Sequence, residues 1–304
     1  MLEIFRHDLN IDFVGKAKVA VGISVVIIAI CLGSIAVRGF NWGVDFRGGI
    51  LAQVRFDRDL SPAEVHEAAS SLGLGEVEAQ NFEGSKREYL IRIDTRGKDE
   101  KTLAGGAAQQ AFIDKFGAGT QVVKIEMVGP KVGAELIQKG ALALLWSLVA
   151  MLLYIWFRFT LDFGMGAVWA TFHDVMVMLG AFSLSRREIN LPIVAALLTI
   201  VGYSMNDTII LFDRVRENLG RRRKSDFREI VNISVNETLS RTILTSLTVL
   251  LSSIALFFFG GGVLRDFSFA MIVGVLTGTW SSIFIASPIA MWWRKRFGVP
   301  VKKA

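Results

Sequence analysis

Long apolar stretches interrupted by short charged segments run through most of this 304-residue chain. The first stretch, Val19 to Val37, contains no charged residue. A helix of that length rises by about 1.5 Å per residue and nearly crosses the ~30 Å hydrocarbon core of a bilayer. We therefore predict a polytopic α-helical membrane protein. Its six predicted membrane-spanning helices, or spans, are 19–38, 140–157, 163–184, 191–212, 241–262 and 267–293.

The region between the first two spans, residues 39–139, has the pattern of a small water-exposed domain. Ile50 to Phe56 alternates apolar and polar residues, which is typical of a strand. Ser61, Pro62 and Glu64 form a helix start, with an N-cap, a proline in the first turn and a capping-box glutamate. The further predicted elements are strands at 77–82 and 88–94, a helix at 99–116 and a strand at 121–128. This βαββαβ order predicts a ferredoxin-like α+β domain, in which two helices pack on an antiparallel sheet.

The distribution of basic residues predicts the orientation of the spans. Lys and Arg concentrate in three segments, which are the N-terminus (1–18), the segment 213–240 after the fourth span, and the tail 294–304. With six spans these segments lie on one side, which the positive-inside rule identifies as the cytoplasm. Residues 39–139 are then exported to the periplasm. Within 213–240, Ser225 to Leu239 carries apolar residues at helical spacing, which predicts an amphipathic helix at the membrane interface.

The overall composition narrows the possible functions. Hydrophobic residues make up 52% of the chain and the mean hydropathy is +0.46, which excludes an ordinary soluble domain. The formal net charge of +6 is accounted for by the basic ends and loops of the spans, so we expect no nucleic-acid partner. The chain lacks a phosphate-binding loop and a His-Glu-x-x-His zinc motif. We therefore expect neither an enzyme nor a bound metal or cofactor.

The fourth span contains a polar pair, Asn206 and Asp207. A charged side chain at the centre of a span costs roughly 2.5–3.5 kcal/mol on insertion scales, so it is retained only if it is paired, protonated or in contact with water. Asp207 is therefore a candidate functional residue; the alternative is a polar residue that only joins helices. Arg241 begins the fifth span, which runs antiparallel to the fourth, and could pair with Asp207. Protonation would break such a pair, whereas a snorkelling Arg241 would simply contact lipid headgroups.

A second polar pair, His173 and Asp174, falls near the middle of the third span. A histidine and a carboxylate at that depth could relay protons. They could equally make a fixed polar contact with another helix, and the sequence leaves both alternatives open. Asp213, at the exit of the fourth span, is expected to lie mostly in the membrane interface.

Five motifs resemble those of the SecD/SecF family and occur along the chain in the same order as in that family. The family is part of the resistance-nodulation-division superfamily of proton-driven membrane machines. Trp42 to Gly49 resembles the glycine-glycine signature that follows the first span. Its matching residues are Asp45, Phe46, Gly48 and Gly49. The fourth-span motif begins at Gly202 and includes Asp207 and Asp213, and the remaining motifs are 128–136, 239–242 and 278–288. The resemblance covers nearly the whole chain and points to the SecF members of the family.

The resemblance implies a function and a set of partners. SecF-like chains pair with SecD into a twelve-span unit of the cell inner membrane, beside the SecYEG channel, with YajC and the YidC insertase as further candidate partners. The unit uses the proton gradient, and no cofactor, to assist preprotein translocation on the periplasmic side. By their positions in the family's motifs, Asp207, Arg241 and Asn206 are expected to be the proton-coupling residues of this chain. Another acidic residue would come from SecD. The competing hypothesis is a non-conducting scaffold that assembles SecD with the channel.

Overall fold

The computed structural model describes residues 11–71, 76–82, 85–94, 113–117, 119–260 and 262–298. The chain forms two compact units. The first, called the membrane unit below, consists of Met1–Asn41, Leu144–Arg187 and Pro192–Ala304. The second, called the small unit, consists of Trp42–Ala143 and Glu188–Leu191.

The helices in chain order are α1 (Phe13–Arg38), α2 (Val44–Arg47), α3 (Pro62–Ser70), α4 (Pro130–Arg158), α5 (Leu161–Ser185), α6 (Leu191–Arg221), α7 (Phe227–Phe259), α8 (Gly262–Ser281) and α9 (Ser287–Phe297), with a π-helical segment, Ser282–Ala286, between α8 and α9. The strands are β1 (Asn41–Trp42), β2 (Gly49–Arg55), β3 (Glu76–Asn81), β4 (Glu88–Asp94), β5 (Gln121–Val128) and β6 (Glu188–Ile189). Six helical segments of the described chain are long and apolar enough to cross a membrane; they are α1, α4, α5, α6, α7 and the continuous run from α8 to α9. The prediction of a mostly helical chain with six candidate spans is confirmed.

Local sequence explains where the first helix begins and ends. Asp12 precedes α1, and its carboxylate accepts a hydrogen bond of 2.6 Å from the N–H of Gly15, as an N-cap does. Gly39 follows α1 with a φ of +64° and a ψ of −159°, a conformation that is open to glycine and strained for other residues. Because the cap lies before the apolar stretch, α1 starts at Phe13 instead of residue 19.

The segment 213–240 is more helical than the sequence indicated. Both neighbouring helices extend into it, and only residues 222–226 connect α6 to α7. The apolar face at the start of α7 is buried in a hydrophobic cluster around Phe163 and Phe212. The buried residues of this face are Ile230, Val231 and Val235. The expected amphipathic helix therefore exists as the first part of α7, but its apolar face contacts protein instead of the membrane interface.

Helices α6 and α8 approach each other closely at glycine residues. A Cβ atom added to Gly278 would lie only 2.9 Å from Cβ of Ser204, and one added to Gly274 would overlap the side chain of Ile200. Small residues allow such close approach between membrane helices. The short distance between the two backbones brings side chains at the end of α8 within hydrogen-bond range of α5 and α6.

The small unit is built on a four-stranded antiparallel sheet with the order β3-β4-β2-β5. Ile50 of the central strand β2 lies opposite Ile93 of β4 on one side and opposite Met127 of β5 on the other. One face of this sheet packs against α3 and forms the core of the unit. The core residues include Ile50, Ala52, Val54, Val65, Ala69, Tyr89, Ile91 and Ile93.

Helix α3 begins with the capping box that the sequence indicated. Oγ of Ser61 accepts a hydrogen bond from the N–H of Glu64, and the Glu64 carboxylate accepts one from the N–H of Ser61, at 3.2 and 2.7 Å. Two donors at the helix start are thereby satisfied. The predicted second helix, 99–116, lies outside the described residues except for 113–116, which are helical.

Candidate functional site

Asp174, near the middle of α5, is a buried carboxylate shared by three helices. The residue has no exposed surface (0%). Its Oδ2 accepts hydrogen bonds from Oγ of Ser204 on α6 at 2.5 Å and from Oγ of Ser281 on α8 at 2.7 Å. Its Oδ1 lies 3.0 Å from Nδ1 of His173. These four residues, called the Asp174 cluster below, join α5, α6 and α8 inside the membrane unit.

A pair of hydroxyl groups extends the Asp174 cluster by one helical turn. Oγ1 of Thr208 on α6 and Oγ of Ser282 in the π segment are 2.8 Å apart. The Ser282 hydroxyl also donates to the carbonyl of Gly278 at 2.9 Å, within its own helix. Because Thr208 directly follows Asp207 in the chain, this strip of polar groups reaches the turn of α6 that carries Asp207.

The π-helical segment explains how two adjacent serines of the sixth span, Ser281 and Ser282, can both face this strip of polar groups. Pro288 has no N–H and cannot bond to the carbonyl four residues earlier, and the turn before it is wider than an α-helix over Ser282–Ala286. Oγ of Ser287 donates to the carbonyl of Ser282 at 3.3 Å. Such π turns re-aim side chains and are frequent at functional sites. Here Ser281 contacts Asp174 while Ser282 faces α6.

Asp207 is buried as well, with 3% of its surface exposed, but its surroundings differ from those of Asp174. Its Oδ2 has no hydrogen-bond partner in the part of the chain that the structure describes. The guanidinium of Arg241 attracts this carboxylate from a distance, without a hydrogen bond to Oδ2. Arg241 itself is exposed. The structure thus brings the two side chains into the same region, and within the described residues they form no ion pair with each other.

The other predicted residues of the fourth span lie elsewhere on α6. Asn206 and Gly202 are exposed and one turn apart, so Asn206 does not share the buried environment of Asp207. Asp213 is partly exposed and forms an ion pair of 2.8 Å with Arg158 at the end of α4. This ion pair joins α6 to α4 and is separate from the Asp174 cluster.

The residues of the glycine-glycine signature lie in the small unit and shape a turn before β2. Oδ2 of Asp45 accepts a hydrogen bond of 2.9 Å from the N–H of Leu191, and Phe46 is buried with 5% of its surface exposed. Gly48 and Gly49 have φ angles of +78° and +132°, where a residue with a Cβ atom is strained. This backbone conformation explains the need for two consecutive glycines.

Sequence reasoning did not identify Ser204 and Ser281 as site residues. Ser204 lies three residues before Asp207, which places both on one face of a helix and could have suggested it. The local sequence of Ser281 does not indicate a contact with a residue 107 positions earlier. For His173, the structure shows a contact from Nδ1 to Asp174, while Nε2 is buried without a partner among the described residues.

Comparisons with known proteins agree on one family. Residues 108–296 match the C-terminal family model of the SecD/SecF protein export membrane proteins, and residues 33–59 match the SecD/SecF GG motif. Proteins called protein translocase subunit SecF are 43% identical to the chain in Desulfurispirillum indicum and 44% identical in Magnetococcus marinus. Each of these alignments covers 95% of this chain and 94% of the relative.

Two solved structures of SecDF also resemble the chain. The crystal structure of SecDF from Thermus thermophilus matches with a TM-score of 0.84 and 36% identity over 96% of this chain. A crystal structure of SecDF in a super-membrane-facing form matches with a TM-score of 0.70 and 36% identity over 95% of this chain. The chain spans only 40% and 39% of those two SecDF chains, so it corresponds to part of each.

Proposed function

Because this chain belongs to the SecD/SecF family of protein export membrane proteins, we propose that it acts as the SecF subunit of a proton-driven SecDF complex. In this proposal the chain pairs with a SecD, and the complex uses the proton motive force to assist preproteins as they leave the SecYEG channel. The chain is not an enzyme and needs no cofactor. A proton that crosses ~100 mV releases about 2.3 kcal/mol, which is the energy source for the cycle.

The observation that carries this proposal is the environment of Asp207. A buried carboxylate inside a span is costly when it is charged and unpaired. The cost falls if the carboxylate binds a proton or if it pairs with a cation, and Arg241 on α7 is a cation within electrostatic reach. Asp207 therefore has two competing ways to be neutralised, and a proton selects between them. A ligand that favours one of two arrangements in this way shifts the protein between them.

We assign a different role to the Asp174 cluster. Its carboxylate already accepts hydrogen bonds from Ser204 and Ser281 and faces His173. We therefore place Asp174 as a fixed acceptor that ties α6 to α5 and α8, and not as a member of a proton relay. Ser204 lies one turn before Asp207, so a movement of α6 that follows protonation would act directly on this contact.

The proposal includes an orientation and a domain class. In this proposal both termini are cytoplasmic and the membrane is the inner membrane; the basic residues of the N-terminus, of segment 213–240 and of the tail support this orientation. Residues 39–139 are then a periplasmic domain. The antiparallel order β3-β4-β2-β5, with α3 directly after β2, supports a ferredoxin-like class for this domain. YajC and the YidC insertase are candidate partners in the same membrane.

Protein export into inverted membrane vesicles tests the role of Asp207. Vesicles would carry this chain with its SecD partner, and export would be measured with and without an imposed proton gradient. Asp207→Asn keeps the shape of the side chain and removes its charge, so we expect it to lose the gradient-dependent part of export. Asp266→Asn is the matched control, because Asp266 is a partly buried carboxylate of the same unit that is paired with Arg187.

Two other outcomes would reject the proposed role. Normal gradient-dependent export by Asp207→Asn, at equal levels of the complex, would show that the proton path does not use this residue. Loss of export together with loss of SecD from the purified complex would favour a scaffold function. We expect instead that Asp207→Asn retains SecD at the wild-type level, and that Asp266→Asn retains both SecD and the response to the gradient.

A further inference from the structure

A groove of about 990 Å³ lies where the beginnings of α1 and α7 meet the end of α9. None of the residues of the Asp174 cluster lines it, and Asp207 does not line it either. The lining residues divide into an apolar wall and a charged mouth. The apolar wall consists of Val14, Ala17, Val21, Phe227, Pro288 and Met291.

The apolar wall extends from the end of the helices into the spans. Val14 and Val21 on α1 are two turns apart, as are Pro288 and Lys295 on α9. At 1.5 Å per residue, each of these distances is about 10 Å, or roughly a third of the hydrocarbon core. The groove is therefore deep enough to hold the upper part of an acyl chain with a headgroup above it.

Arg294 forms a fixed part of the mouth. Its Nε donates a hydrogen bond of 2.7 Å to Oδ2 of Asp162, which is completely buried. Its guanidinium also lies 4.1 Å from the centre of the Phe227 ring and 5.3 Å from that of Phe163. These contacts neutralise Arg294 and hold the start of α7 against α9, so the two sides of the groove are fixed relative to each other.

The remaining charges of the mouth have no such partners. Lys18, Arg228 and Lys295 line the groove, are exposed, and form no ion pair or hydrogen bond with the rest of the described chain. Asp226 is the single carboxylate among the lining residues. Three unpaired cations and one carboxylate leave a surplus of two positive charges above an apolar wall. Trp292 lies at the same mouth, and tryptophan is enriched at the headgroup level of membranes.

We propose that this groove is a binding site for an anionic phospholipid. The phosphate would lie among Lys18, Arg228 and Lys295, and an acyl chain would follow the apolar wall along α1 and α9. Basic pockets between membrane helices bind anionic headgroups, and long cationic side chains reach toward them while their stems cover apolar surface. A lipid fits better than an acidic protein segment because the wall continues into the depth of the bilayer, where acyl chains are the surrounding solvent.

Brominated lipids test this proposal by quenching tryptophan fluorescence. The chain and its SecD partner would be reconstituted in phosphatidylcholine vesicles that contain either brominated phosphatidylglycerol or brominated phosphatidylcholine. We expect stronger quenching by the phosphatidylglycerol, and we expect Trp292→Phe to remove most of this difference. The groove variant is Lys18→Gln, Arg228→Gln and Lys295→Gln combined. The matched control combines Arg222→Gln, Arg223→Gln and Lys224→Gln, which removes three charges from the neighbouring connection outside the groove.

Each cation that contacts a bound anionic headgroup contributes about fivefold in affinity, whereas the cations at 222–224 do not line the groove and contact no headgroup held there. The groove variant should therefore lose preference for phosphatidylglycerol by on the order of a hundredfold, while the control variant keeps it within a few-fold. Equal losses in the two variants would reduce the effect to general surface attraction and reject a specific site. Unchanged lipid preference in the groove variant would also reject it. Loss of SecD from the groove variant, with lipid quenching intact, would identify the groove as a protein contact instead.

Discussion

Removal of the Asp174 carboxylate is predicted to destabilise the membrane unit. Asp174→Ala leaves the Ser204 hydroxyl without an acceptor at a site with no exposed surface. Ser281 loses the same acceptor but can still donate a hydrogen bond to the carbonyl of Gly278, which is 3.2 Å away. An orphaned buried polar group costs roughly 1–3 kcal/mol. With the partial rescue of Ser281, we expect a total loss of about 2–4 kcal/mol, and a smaller loss for Asp174→Asn, which keeps one acceptor oxygen.

Cys31 offers a direct assay for this prediction. It is the single cysteine of the chain, it is 3% exposed, and it packs against Val177 and Gly180 one to two turns from Asp174 on α5. With a cysteine-free SecD partner, a thiol-reactive dye would report the temperature at which Cys31 becomes accessible. For a protein of this size, about 2–4 °C per kcal/mol is typical, so Asp174→Ala should lower the midpoint by roughly 4–16 °C.

Two controls decide whether the reasoning is right. Ser185→Ala removes a hydroxyl from the same helix that bonds only to carbonyls of its own helix, and it should leave the midpoint unchanged. Ser204→Ala and Ser281→Ala remove two donors to one oxygen, so their effects should not add. A wild-type midpoint for Asp174→Ala, or strict additivity of the two serine variants, would refute the shared-acceptor contact.

Three further predictions follow from the backbone and from a surface ion pair. Gly278→Val should lower the dye-reported midpoint because its Cβ would lie 2.9 Å from that of Ser204, whereas Gly202→Ala, with open space around it, should not. Gly49→Ala should destabilise the small unit by about 1 kcal/mol or more because of its φ of +132°, and faster amide exchange in β2 would show this. A hydrogen bond from Arg87 lowers the pKa of Asp59, so the stability that this contact adds is present above about pH 4 and is lost as the pH falls through the lowered pKa. Asp59→Asn should therefore speed exchange of the neighbouring Leu60 amide slightly at about pH 6 and not at about pH 2; a difference that persists in acid would contradict this sign.

The sequence predicted well those features that depend on local pattern. The six candidate spans follow from long apolar stretches, and the start of α3 follows from the spacing of Ser61 and Glu64, because both are settled within one or two helical turns. What the apolar face of Ser225 to Leu239 contacts could not be predicted from local pattern. An apolar helix face looks the same in sequence whether it contacts the membrane interface or a protein core, and here it contacts the cluster around Phe163.

The candidate site shows the same limit more sharply. Asp207 stands out in sequence because a charge inside a span is costly, and Asp174 stands out for the same reason. Their different surroundings depend on where α6 and α8 approach, which glycines such as Gly278 allow but do not specify. Ser281 donates to Asp174 only because α6 and α8 approach each other closely, so no spacing rule within the chain could have assigned this contact.

The π segment has a consequence for the length of the sixth span. A π turn is equivalent to one residue inserted into an α-helix, so deletion of one residue within Ser282–Ala286 would restore a regular helix. It would also rotate everything after it by about 100°. Arg294 would then turn away from Asp162, its partner at 2.7 Å in the present structure, while Ser281 could keep its place. The number of residues in this span is therefore under as strong a constraint as their identity, and insertions or deletions there should be far less acceptable than substitutions on the exposed face.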